Sequence, residues 1–125
     1  MQSSENKRET YLNRILDHMR VAVTLVDTNG VILYANAAAM NRPTRTPRKV
    51  GRNIRDCHKP KTNEKIDTIF QEFRDGRREP HHYLSTASGR RELVTIIPIF
   101  DGDAFSACLS HIHTLDMEGP ERTFS

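Results

Sequence analysis

A chain of 125 residues makes one domain, large enough to bury most of its apolar surface without crosslinks. The 36% hydrophobic and 28% charged fractions suit a soluble globular protein, and no apolar run approaches the length that spans a membrane. Net charge is only +3, yet nine Lys or Arg fall between Arg42 and Lys65, against the two acids Asp56 and Glu64. Such a block favours anionic partners: nucleic acid, an acidic protein or the carboxylates of a ligand. The opening MQSSENKRET is too polar for a signal peptide, and Cys57 and Cys108 make no disulfide framework, CxxC pair or zinc knuckle. The chain therefore reads as cytoplasmic, with reduced thiols.

Glu5 to Arg20 has helical periodicity. Tyr11, Leu12, Ile15, Leu16 and Met19 form one apolar stripe, with Ser4 as the expected N-cap. Val21–Val26 and Val31–Tyr34 are β-rich runs joined by Asp27-Thr28-Asn29-Gly30, a strong hairpin signal. Asn36 can cap a short helix through Ala37–Met40, after which Pro43 and Pro47 force a basic loop. Val50, Ile54 and Cys57 have the spacing of one face of a brief helical turn, which Pro60 is expected to end. A longer helix opens at Thr62 or Asn63, carries Ile66, Ile69, Phe70 and Phe73 on one face, and stops at Gly76.

Three further runs, His81–Thr86, Leu93–Phe100 and Ala104–Thr114, read as strands with turns at Ser88-Gly89 and Asp101-Gly102. Leu93–Phe100 is apolar on both faces, which predicts a central strand covered on both sides. The order predicts an α+β domain: one antiparallel sheet of five strands, helices on one face and an N-terminal amphipathic helix. Residues 1–20 form that helix, 21–116 the domain proper, and 117–125 a frayed tail.

This order, with its landmarks, resembles a PAS domain. LDHMRVAVTLVDTNGVILYANAAAM is similar to the PAS opening, and ELVTIIPIFDGDAFSACLSHIHTLD to its closing hairpin. VGRNIRDCHKPKTNEKIDTIFQEFRDGRRE resembles a bacterial subgroup with a Cys-His-Pro-Pro motif, although Lys59 stands where that motif has its first proline. The resemblance covers about residues 12 to 116 and implies a sensory or signalling module. No kinase, cyclase or DNA-binding segment follows Asp116, which reads as a sensor without an output domain or a piece of a longer protein.

No catalytic constellation is visible: there is no GxSxG, Walker loop, GxGxxG or HExxH, so an enzyme is not expected. His58 and Cys57 are the candidate ligand donors, because imidazole and thiolate bind haem iron axially. The resemblance implies a pocket between sheet and helices, with Ile66, Ile69 and Phe70 on its wall and haem the first candidate cofactor held by His58. The plainer reading makes Cys57 a small buried hydrophobe and His58 a capping or exposed side chain. His111 and His113 share one face of the last strand, whereas His81 and His82 point to opposite faces.

Nucleic-acid binding through residues 42–65 is the rival function, but no aromatic residue lies between Tyr34 and Phe70 to stack on a base. The expected partners are therefore a second copy of the chain, through the N-terminal helix, and an acidic signalling protein, not a membrane or nucleic acid. A cofactor-free dimerisation module is the alternative.

Overall fold

The computed structural model describes residues 4–43 and 46–115. Strand β1 (Ala22–Asp27) turns into β2 (Ile32–Ala35) on the Asp-Thr-Asn-Gly sequence. Asp27 Oδ1 accepts from the backbone N–H groups of Asn29 (2.9 Å) and Val31 (3.0 Å), satisfying donors that the chain reversal leaves without a strand. Gly30 has φ +85°, and a Cβ there would collide with the Arg55 guanidinium, so this position needs glycine twice over.

Asn36 then caps the short helix α2 (Ala37–Met40), as its position predicts. It does more than cap. Its Oδ1 accepts from Val23 N (2.9 Å) and Ala39 N (3.0 Å), while its Nδ2 donates to Leu16 O (2.7 Å) and Val21 O (2.8 Å). One fully buried amide thus fills its hydrogen-bonding capacity while joining the end of α1 (Ser4–His18), β1 and α2.

Beyond the basic loop, Gly51 N donates to Ile32 O and Ile32 N to Arg52 O, both at 2.8 Å, stapling residues 51–53 to the edge of β2. A 3-10 turn follows at Ile54–Cys57, capped by the Asn53 side chain. Val50 therefore does not share the buried face of Ile54 and Cys57. It is 68% exposed, because helical spacing starts only at Ile54.

Pro60 does not end this turn but opens the next helix, α3 (Pro60–Arg74), at a position where its missing N–H costs nothing. The apolar stripe Ile66, Ile69, Phe70 and Phe73 is buried as its spacing predicts. Gly76, at φ +106°, ends the helix in a double return: Gly76 N bonds Phe73 O and Arg77 N bonds Glu72 O.

Strands β3 (His81–Ser85), β4 (Glu92–Asp101) and β5 (Ala104–Thr114) complete a five-stranded antiparallel sheet of order β2-β1-β5-β4-β3. The α+β arrangement predicted from the order of elements is therefore the one adopted. The inner face packs Val26, Val94, Ile96 and Ile112 with Ile66, Phe70 and Phe73 of α3. β4 is an inner strand, but full cover holds only on this side: outward Leu93 and Ile97 are half-buried and Ile99 is exposed. Helix α1 already includes Ser4, so the expected cap there gives way to helix, and none of its residues is buried. The tail from Met117 lies outside the described residues.

Replacing Asn36 by Ala removes two acceptor and two donor bonds from a buried site. Urea denaturation should show a loss of about 3 kcal/mol or more, against under ~0.5 kcal/mol for the exposed Asn13→Ala.

Candidate ligand-binding site

A cavity of about 730 Å³ lies between the inner face of the sheet, α3 and the turn that carries Cys57 and His58. That volume is in the range of small-molecule sites. Ile66 and Phe70 line it from α3, opposite Val94, Ile96 and Ile112 of the sheet. Ile69, expected on the same wall, is buried in the core cluster and does not line the cavity. The predicted donors are both at the wall, so the corner RDCHKPKT does border an apolar space.

His58 caps the 3-10 turn, and its ring is fixed by what its nitrogens meet. Nδ1 lies 2.9 Å from Ile54 O, which can only accept, so Nδ1 carries the proton. Nε2 is then the free lone pair, and Arg48 Nη2 approaches it at 3.5 Å. Burial, reinforced by the charges of Arg48 and Arg42, holds this imidazole below its ordinary pKa, against the opposing bond to Ile54. His58 is a neutral nitrogen donor at neutral pH. Cys57 is different: burial pushes its thiol up, outweighing the pull of Arg48, so it stays protonated. The buried thiol of Cys108 is pushed up further, to about 12.

Two arginines of the basic block are also part of this site, and charge counting alone did not single them out. Arg42 makes a two-pronged ion pair with Glu92 at the start of β4, at 2.8 and 3.2 Å. The Arg42 bonds, assisted by Ser88 and Thr114 and opposed by burial, hold the Glu92 carboxyl below its ordinary range. Arg48 is only 4% exposed, donates to Thr24 Oγ1 at 3.0 Å, and has a buried Nε with no partner. Their signal in the sequence is the prolines: Pro43 and Pro47 bracket the loop that returns these side chains to the sheet.

A third arginine, Arg55, is structural. It reaches Asp67 of α3 at 2.5 and 2.8 Å and Asn29 O at 2.9 Å, tying helix and hairpin to the corner. The basic block is thus partly consumed inside the fold. Elsewhere, His113 Nε2 lies 3.0 Å from His111 Nδ1 on the outer face. Among the described residues no group of three or more His, Cys, Asp or Glu is placed to hold a metal ion. No helix there is long and apolar enough to cross a membrane.

A single antiparallel sheet, with a ligand-sized cavity beneath a short turn and one long helix, defines an α+β module of one sheet. The chain belongs to the PAS domain family, whose model matches residues 12–107. Among solved structures, a C-terminal domain from Streptococcus mutans is similar at 26% identity and TM-score 0.69, covering 86% of this chain and 84% of its own. The PAS domain of Bordetella pertussis BvgS has the same fold at 16% identity and TM-score 0.66, covering 90% of each chain. A sensory box sensor histidine kinase from Vibrio cholerae aligns at 14% identity and TM-score 0.63 over 91% of this chain and 97% of that one. No curated protein matches in sequence.

The depressed His58 pKa has a signed consequence. Near pH 6.5 the unfolded chain takes up a proton that folded His58 refuses, so stability rises with pH there and is lost as pH falls below about 6.5. His111, lowered by burial and by His113 and His82, adds to the same window. Urea midpoints should therefore drop between pH 8 and pH 5.5, and drop less in His58→Gln. An equal drop in both proteins would mean that His58 does not contribute.

Proposed function

We propose that this PAS domain is a sensor whose cavity takes a small ligand or cofactor and which signals through protein–protein contacts. The observation that carries the reading is the cavity itself: its lining mixes apolar residues of α3 and the sheet with polar ones, among them a neutral imidazole and a buried guanidinium. Haem is the first candidate cofactor. His58 would hold the iron through Nε2, giving up a contact with Arg48 that is already at the outer limit of a hydrogen bond. Bound there, haem would supply redox or gas-binding chemistry to the sensor. Cys57, protonated and packed beside Ile54, would stay a wall residue.

Haemin added to the purified protein should give a sharp Soret band that His58→Ala weakens and Cys57→Ala largely spares. The reverse order would make the sulfur the donor. An unshifted spectrum in the parent protein would remove haem from the reading and leave the cavity to another ligand.

Output requires a surface, and α1 offers one. Tyr11, Leu12 and Ile15 are 61%, 57% and 57% exposed, an apolar stripe larger than a monomer in water usually leaves bare. We assign it to a second copy of the chain in a two-fold dimer, with an acidic protein as the downstream partner. Light scattering should give twice the 14.4 kDa chain mass, and Leu12→Glu with Ile15→Glu should halve it. A parent protein that is monomeric at tens of micromolar would sink the dimer.

A further inference from the structure

Arg48 is a cation in the wrong solvent. It sits beneath β1 because Pro47 precedes it and the segment after it is stapled to Ile32, which turns its side chain inward rather than out with the lysines. Its polar contacts are the neutral Thr24 hydroxyl and the neutral His58 ring, and its Nε–H meets nothing. Among the described residues no carboxylate pairs with it. Glu92 is already taken by Arg42. Burial first, and then the neighbouring Arg42 charge, push its pKa down to about 10, against the weaker opposing influence of Cys57, Tyr83 and the Glu92 carboxylate, which it does not bond. That still leaves it fully charged at neutral pH. A buried charge without a counter-ion is strongly unfavourable, and replacing it with an apolar residue of similar volume commonly stabilises a fold. The fold alone gives no reason to keep it there.

The cavity supplies one. Arg48 lies on its wall with Lys59, Lys65 and the Arg42–Glu92 pair, whose charges cancel, and Ile66, Phe70, Val94 and Ile112 supply its apolar lining. A guanidinium presents a planar fork of donors that matches a carboxylate. We propose that Arg48 is the cavity's recognition point for a carboxylate, and that the ligand is an organic anion whose apolar body lies against α3 and the sheet. This rests on the ligand-binding reading above and names the chemistry of the ligand. Such a carboxylate arrives on a free organic acid or as a propionate of haem, and the arms of one experiment separate the two.

Octanoate and decanoate, with octanol and decanol as uncharged matches, would be titrated calorimetrically into the full chain, alongside haemin. The acids should bind at least about tenfold more tightly than the alcohols, and Arg48→Met should erase that difference without weakening the alcohols. If instead the acids are silent but haemin binding falls about tenfold in Arg48→Met, the carboxylate is the porphyrin's and the assignment of Arg48 stands. Acids and alcohols binding equally, with haemin indifferent to Arg48, overturns the assignment while leaving the cavity as a ligand site. No binding by any probe overturns the ligand reading together with it.

Ligand-free Arg48→Met should melt no lower than the parent, because its charge serves the ligand rather than the fold. Should that variant fail to fold, the parent protein still decides: the Arg48 Nε–H resonance should move downfield on adding octanoate and stay in place with octanol. A resonance that ignores octanoate at saturation overturns the proposal.

Discussion

Everything in this domain is hung on one buried amide. Asn36 uses both lone pairs and both protons, and its four partners belong to α1, the segment after it, β1 and α2. Because the bonds to Val23 N and Ala39 N are buried, the loss of the side chain would leave two backbone donors without a partner inside the protein. The amide also fixes a direction. Val23 N–H donates to Asn36 Oδ1, while the neighbouring Thr24 keeps its hydroxyl buried, accepting from Arg48. A one-residue slip in β1 would turn the Thr24 side chain to the other face and move Val23 N away from Asn36.

The second constraint is electrostatic. Most buried polar groups here have found a partner that removes their cost: Glu92 has Arg42, and Asn36 has backbone on every side. Arg48 stands apart in that both groups it bonds, Thr24 and His58, are neutral, and its Nε–H is idle, as is that of Arg42. It also sets the state of the histidine beside it. Burial first, and then the Arg48 charge, disfavour a second proton on the ring, while the Ile54 carbonyl fixes the first proton on Nδ1. The result is a histidine with one tautomer and one lone pair, met only by the long contact to Arg48. Those are the properties a ligand donor needs, and they come from the turn and its neighbours rather than from the residue type.

The corner that carries Cys57 and His58 is held from outside the cavity. Arg55 binds Asp67 and the Asn29 carbonyl, and Asn63 Nδ2 donates to Arg55 O at 3.0 Å, so helix, turn and hairpin share one polar clamp. The clamp itself makes no use of His58 or Arg48, which are left on the cavity side. The frame around the cavity is thus fixed by bonds on its exterior.

Local chemistry determined a large part of this protein from its sequence. The Asn-Gly hairpin, the Asn36 cap, the α3 stripe and Gly76 are each decided by φ/ψ limits or by a repeat of apolar residues within a few positions, so they could be read without knowing the fold. The pairing of residues distant in sequence was decided only by the tertiary structure. Whether Val50 joined the buried face depended on a backbone pairing to β2, not on its spacing from Ile54. In the sequence Arg42, Arg48 and Arg55 look alike. They separate into an ion pair with a residue fifty positions away, a buried cation and a surface clamp only once the sheet has closed. Charge is written in the sequence, but its environment is not, because solvation and partners are set by elements that meet only on folding.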